Sequence, residues 1–357
     1  MNEHPRVSFV VPCYNYGHFV AQAIDSLLAQ SFEALEIIAI DDASTDDSRQ
    51  VLERYAADPR VRLVLHPHNQ GHIRSYNEGI ALARGEFVGL LSADDLCLAR
   101  DAVARQVAVF DAHPNVGFVY SSYCFVDQAG RVTYVWQPWK TDYVRGGLEE
   151  FAELISRNYI PASGTLVRRS SHAALGVYDP DLPHAGDWEL WLRLCTRYDI
   201  GYILEPLYAY RAHDTNMNHA KVSPAEGNRQ CVLTMQKAFD ALPATAPAAL
   251  RGMRRTALQR AWLLTSVHDR TRGFTRRSWQ GLLDAARQSP SLLAAPRFHA
   301  ALARLILLTV VGNRAYQRLQ GWDSVLRRRR PATGAAAVHA AQNEQPSASD
   351  TVTIATA

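Results

Sequence analysis

Two adjacent carboxylates close the stretch Phe87-Val88-Gly89-Leu90-Leu91-Ser92-Ala93-Asp94-Asp95. The apolar run before them is short and continuous, which predicts a strand buried on both faces, the habit of an inner strand in a parallel sheet. Carboxylates at its C-terminal end stand in the crevice where open α/β sheets bind ligands. Their charges repel unless a cation lies between them or water reaches them. A Mg2+ or Mn2+ ion carrying phosphates suits such hard oxygen ligands. The alternative is a solvated turn in which Asp95 caps the next helix. A second pair, Asp41-Asp42, follows the strand-like run 35–40, and Pro12-Cys13-Tyr14-Asn15 turns the chain after a third such run.

The elements that must position these groups alternate. Strands are predicted at 6–11 (stopped by Pro12), 35–40, 61–65, 87–92 and 116–123, with helices at 18–28, 44–57, 73–83 and 101–112 between them. Ser44 reads as the N-cap of the second helix, with Asp46 and Asp47 in its first turn. This alternation implies a parallel sheet with helices on both faces, so three strand ends offer polar groups to one edge, the geometry of a nucleotide site. No GxGxxG or GxxxxGK[ST] follows the first strand, so phosphate charge must be met by a metal or by side chains. Beyond Tyr123 a hairpin (123–127 with 131–136), a helix at 148–156 and a strand at 165–168 are expected. Trp188, Trp191, Leu192 and Cys195 then share one face of a helix with Asp187 at its N-terminus, and two short strands, 200–204 and 207–211, lead to Arg211-Ala212-His213.

The chain has 357 residues, 47% hydrophobic and 20% charged. No run reaches the ~18 apolar residues of a membrane span, and residues 1–6 lead into strand-like sequence without a signal-peptide apolar core. Five scattered cysteines without a CxxC pair argue for reduced thiols and against a zinc site. The expectation is a cytoplasmic enzyme. The net charge of +3 conceals an asymmetry, because 251–330 carries 17 arginines, no lysine and three aspartates, a local +14. Residues 1–220 read as the catalytic domain and 221–330 as a basic helical region, with helices at 227–242, 246–267, 275–288, 298–308 and 313–326. Residues 331–357, dominated by Ala, Thr, Ser and Gln, read as a disordered tail.

Seven pieces in order resemble glycosyltransferase family 2, the inverting sugar-nucleotide transferases of GT-A fold, over about residues 5–218. They are Val10-Val11-Pro12-Cys13-Tyr14-Asn15, Ser26-Leu27-Leu28-Ala29-Gln30-Ser31-Phe32, Asp41-Asp42-Ala43-Ser44-Thr45-Asp46, Asn69-Gln70-Gly71, Leu91-Ser92-Ala93-Asp94-Asp95, Gly186-Asp187-Trp188-Glu189-Leu190-Trp191-Leu192-Arg193 and Tyr210-Arg211-Ala212-His213. The resemblance implies an α/β GT-A fold with a mostly parallel sheet and these roles. Asp42 would accept the N3–H of a uracil in a pocket shaped by Pro12, Tyr14 and Asn15. Ser92 and Asp94 would contact the nucleotide sugar, Asp94 at the ribose. Asp95 would bind a Mn2+ or Mg2+ ion bridging the donor diphosphate, with His213 beside the metal or diphosphate. Asp187 would be the general base. Two departures stand out: Tyr76 occupies the place of a family arginine, with Arg74 two positions earlier, and the strict Asp-x-Asp is replaced by Ser-Ala-Asp-Asp.

The implied function is metal-dependent transfer of a sugar from a nucleotide-sugar donor to a saccharide or lipid-linked acceptor in surface glycan synthesis. The basic helices suggest peripheral contact with an anionic membrane at the inner face of the cell membrane, and nothing in the first 220 residues would use nucleic acid. A non-catalytic sugar-nucleotide-binding scaffold, or a nucleotidyltransferase, is the alternative from another class. Trp188, Trp191, Trp136 and Trp139 are candidates for stacking on sugars, although such spacing more often marks core.

Overall fold

The computed structural model describes residues 4–213, 224–261, 275–288, 290–294 and 296–311. It divides into two compact units, Met1–Ala220 with Gln236–Arg251, and Lys221–Met235 with Gly252–Ala357. The first begins with the expected alternation: β1 (Val7–Cys13), α1 (Gly17–Leu28), β2 (Leu35–Asp41), α2 (Ser48–Glu53), β3 (Val61–Leu65), α3 (His72–Leu82) and β4 (Phe87–Leu90). Then follow β5 (Leu96–Cys97), α4 (Ala102–Ala112), β6 (Val116–Val126), β7 (Val132–Trp136), β8 (Tyr143–Arg145), α5 (Gly147–Leu154), β9 (Leu166–Arg168), α6 (Arg169–Leu175), α7 (Gly186–Cys195) and β10 (Asp199–Arg211).

All ten strands form one sheet in the order β3-β2-β1-β4-β9-β6-β10-β5, with β7 paired to β6 and β8 to β10. The first four are mutually parallel, and β6 pairs in parallel with β10. Strands β5, β7, β8 and β9 run antiparallel to their neighbours, so the sheet expected to be mostly parallel is mixed, with six of its ten strands sharing one direction. The buried core includes Val7, Phe9 and Val11 of β1 and Ile37 and Ala39 of β2, packed with Phe87, Phe110 and Leu166.

Three expectations are corrected. Strand β1 does not stop at Pro12 but pairs with β2 through Cys13. The Val10 carbonyl accepts from Leu91 on the β4 side, while Cys13 O accepts from Asp42 on the β2 side. By the two-residue period, Pro12 N faces β4 beyond the end of that ladder, where no N–H is required. Ser44 is not a helix cap: its Oγ accepts the Asn15 N–H at 3.0 Å, and α2 starts only at Ser48. The two strands expected at 200–211 are one, because register shifts on either side of Pro206 absorb the irregularity.

In the second unit, helices Thr275–Gln288 and Pro296–Val311 pack through Leu282, Ala285, Phe298, Ala301 and Leu305. The helix expected at 246–267 is interrupted at Met253 into Ala248–Gly252 and 254–261. The helix expected at 313–326 and the tail from 331 lie outside the described residues. No helix among the described residues is long and apolar enough to cross a membrane.

Candidate active site

The C-terminal ends of β1, β2 and β4 converge, as the motif spacing requires. The loops after β1 and β2 are locked together. Asn15 and Ala43 adopt left-handed backbone conformations (φ 60° and 59°), a region that L-residues enter only when surroundings impose it. The Asn15 side-chain oxygen accepts the Thr45 N–H at 2.8 Å, so Asn15 ties the two loops rather than offering that oxygen to a ligand. Pro12 is half-buried, and Tyr14 is exposed at 44% beside them.

Asp42 is buried and heavily engaged. Its Oδ1 accepts the Gln70 N–H at 2.8 Å and lies 2.7 Å from His66 Nδ1, and its Oδ2 accepts the Gly71 N–H at 2.9 Å. A carboxylate offers about four lone-pair sites, so one remains on Oδ2. The other nitrogen of His66 meets Glu78 at 2.8 Å. Burial opposes a charged imidazole here, yet the hydrogen bonds to Asp42 and Glu78 prevail and the His66 pKa is raised.

The Asp94-Asp95 turn is held from beneath by Arg211, itself fully buried. Its backbone N–H donates to Asp95 Oδ1 at 3.0 Å, and its guanidinium donates to the carbonyls of Asp94 and Gln128 and to Gln22 Oε1. Ser163 Oγ accepts the Ser92 N–H at 3.1 Å, and its hydroxyl favours the charged form of Asp95. Burial, then the charge of Asp94, pushes the Asp95 carboxyl well above the ordinary range. His213 Nε2 lies 3.0 Å from Asp94 Oδ2, so the histidine engages Asp94 rather than Asp95. Tyr16 also hydrogen-bonds Asp94.

Among the described residues, no group of three His, Cys, Asp or Glu side chains is arranged to hold a metal ion. Two buried carboxylates beside an imidazole nevertheless form a donor set with unbalanced negative charge. That set fits a divalent cation whose other positions are filled by water and phosphate oxygens.

Asp187 lies in the first turn of α7 but is not its cap, which is Ala185. It is half-buried. Its Oδ1 accepts the Trp188 N–H at 2.7 Å, and Asn158 Nδ2 donates to Oδ2 at 2.9 Å. Burial pushes the carboxyl up to about 6, against these hydrogen bonds, which favour the charged form. Such a value leaves the group ionised at neutral pH yet basic enough to accept a proton.

Helix α3 links these parts. At Gly79 a Cβ would lie 2.2 Å from Val10 Cγ1, so only glycine lets α3 pack this close to β1. One turn earlier, buried Tyr76 is within electrostatic reach of Asp94, Asp95 and Asp187. Tyr123 of β6 senses both Asp95 and Asp187. All three carboxylates therefore border one region. Arg74 is exposed, whereas Tyr76 at the departure from the family pattern lies among the carboxylates. Trp188 and Trp191 are core: their indoles donate to the Leu154 and Ile160 carbonyls, which removes them as sugar platforms.

Sequence reasoning missed His66, Asn158, Ser163 and the anchoring role of Arg211. Each acts through a contact with a residue at least 24 positions away, and no local pattern announces that.

The family model described as Glycosyl transferase family 2 matches residues 8–176. An uncharacterized glycosyltransferase of Haemophilus influenzae is 31% identical over 182 residues, which cover 50% of this chain and 68% of that protein. The uncharacterized protein y4gI of Sinorhizobium fredii is 33% identical over 243 residues, 64% of this chain, and the chain spans 25% of its length. Among solved structures, S. aureus TarS 1–349 in complex with UDP-GlcNAc superposes with a TM-score of 0.66 at 20% identity, covering 88% of this chain and 92% of that one. The mannosyltransferase PcManGT of Pyrobaculum calidifontis, in complex with GDP-Man and Mn2+, gives 0.54 at 20% identity over 89% and 84%. At such identity these structures bear on the fold alone.

Proposed function

The chain belongs to glycosyl transferase family 2 and is a glycosyltransferase, and on that premise we propose metal-dependent, inverting transfer from a UDP-sugar to a saccharide or lipid-linked acceptor in surface glycan synthesis. One observation carries the reading: Tyr76 and Tyr123 each sense Asp95 at the end of β4 and Asp187 on α7, so two chemically different carboxylates border one region. The nucleotide-sugar and Mn2+ complexes of the fold neighbours support the donor class and the metal.

Asp42 keeps one acceptor position for the N3–H of a uracil, and Tyr14, exposed beside Pro12, supplies a ring for the base. Asp94 takes ribose hydroxyls. Asp95, with His213 held next to it by Asp94, is the residue that would hold the divalent ion. When bound, that ion supplies Lewis-acid stabilisation of the charge growing on the departing diphosphate. Asp187 removes the proton from the acceptor hydroxyl as that oxygen attacks the face opposite the leaving group. A single displacement with one base and no protein nucleophile inverts the anomeric centre. In the second unit, Ile306, Leu307 and Val310 are exposed on a helix that also exposes Arg304, which supports peripheral contact with an anionic bilayer.

The test is thermal stabilisation by nucleoside diphosphates with and without Mn2+, followed by NMR of the transferred sugar. UDP should raise Tm only with the metal, since ligand binding to the native state adds RT ln(1 + [L]/Kd). A retained anomeric configuration would end the inverting reading.

A further inference from the structure

Two arginines sit on the aromatic cluster that flanks Asp187, and among the described residues Arg145 has an ion-pair partner while Arg157 has none. Arg145 lies 4.5 Å from the Trp139 ring centroid and donates to the buried carboxylate of Glu150 at 2.9 Å. That carboxylate is also met by the hydroxyls of Tyr120, Tyr143 and Tyr159. Arg157 is different. Its guanidinium lies 5.8 Å from the Trp136 ring centroid and 5.5 Å from that of Tyr159. It is half-buried and has no hydrogen-bond acceptor or ion-pair partner among the described residues. Burial lowers its pKa, and exposed Glu153, four residues back, acts on it only at a distance.

Beneath it, the Trp136 indole N–H is buried and also lacks an acceptor among the described residues. Buried donors are almost always met, so the Trp136 N–H, lying beneath a half-exposed guanidinium that has no partner among the described residues, marks a place where an acceptor group belongs. The location is specific. The next residue, Asn158, donates to Asp187, and Trp136 pairs across the β6–β7 ladder with Tyr123, which senses Asp187.

We propose that Arg157 and the Trp136 indole N–H form an anion subsite on the acceptor side of Asp187, taking a phosphate or carboxylate carried by the acceptor. The half-exposed rings of Tyr123, Tyr134 and Trp136 offer faces to the attached sugar. The assignment rests on Asp187 being the acceptor-side base, and it predicts a charged acceptor rather than a neutral one.

The test follows the Trp136 indole signal in a 1H–15N spectrum of the full chain, assigned among the seven tryptophans by Trp136→Phe. Inorganic phosphate and glucuronate are titrated separately, with UDP and diamagnetic Mg2+ filling the donor site. A saturable shift with phosphate alone assigns a phosphorylated acceptor, and one with glucuronate alone assigns a carboxylated one. Saturable shifts with both support the subsite for either anion. Arg157→Gln should weaken binding at least about tenfold, the scale of one charge-assisted hydrogen bond, while Arg157→Lys keeps part of it. No saturable shift with either anion, or an unchanged titration in a folded Arg157→Gln protein, overturns the subsite. Wild-type turnover by Asp187→Asn would instead overturn the acceptor-side reading while leaving the titration intact.

Discussion

Replacing Asp187 by Asn separates chemistry from stability, because the two should move in opposite directions. Burial raises the carboxyl from 3.8 to about 6, which corresponds to roughly 3 kcal/mol of preference for the protonated form. The side chain is only half-buried, and solvent screening reduces this to about 1–2 kcal/mol. Because the folded value lies above the unfolded one, the proton-linked stability is fully present below about pH 4 and is lost as pH rises through 6. Asn cannot ionise, so the variant should match or exceed wild type in Tm at pH 8, keep about half of that advantage near pH 5 and lose it below about pH 4. Turnover should fall by about 10²–10⁴, the usual loss with a general base. In wild type, kcat/KM should decline below about pH 6 as Asp187 is protonated, and Asn158→Ala should shift that limb to higher pH by removing a bond that favours the carboxylate. The assays are nucleoside diphosphate release in the presence of acceptor against pH, and thermal unfolding at pH 5 and 8. Wild-type turnover in Asp187→Asn, or an acid limb near pH 6 that survives the substitution, would refute the reasoning.

The donor side and the second unit yield further expectations. Asp95→Asn should abolish Mn2+-dependent UDP binding by calorimetry, since a neutral amide is a poor ligand for a hard cation; full activity in excess chelator would sink the metal reading. Asp42→Ala should raise donor KM while leaving a measurable kcat. It should also remove the acceptor shared by the Gln70 N–H and His66 Nδ1, while the Gly71 N–H keeps Asn69 Oδ1 and His66 keeps Glu78, lowering unfolding free energy by about 1–3 kcal/mol. Unchanged donor affinity would remove Asp42 from the pocket. Ile306→Asp with Val310→Asp, both on exposed positions, should reduce co-sedimentation with anionic vesicles at low salt without lowering Tm, and equal binding would retire the membrane contact.

The alternation of strands and helices through β4, the placement of both acidic pairs at strand ends and the helical start at Asp187 were legible in the sequence alone. Each is a local signal: apolar periodicity marks the element, and a polar residue after an apolar run marks its end. Strands β5 and β8 were not legible, since they have two and three residues, too few to display a period. Tertiary structure also decided what each carboxylate does. Asp42 and Asp95 read alike as second members of Asp-Asp pairs. Asp42 is bound by two backbone N–H groups and His66, whereas Asp95 is buried beside Asp94 with its carboxyl pushed upward. Ser44 and Asn15 looked like a helix cap and a pocket residue, yet they tie two loops together. Trp188 and Trp191 could have faced a sugar or the core, and the carbonyls that meet their indoles belong to residues more than thirty positions away. The basicity of Asp187 and the unmatched charge of Arg157 depend on burial, and burial depends on what the rest of the chain packs around them.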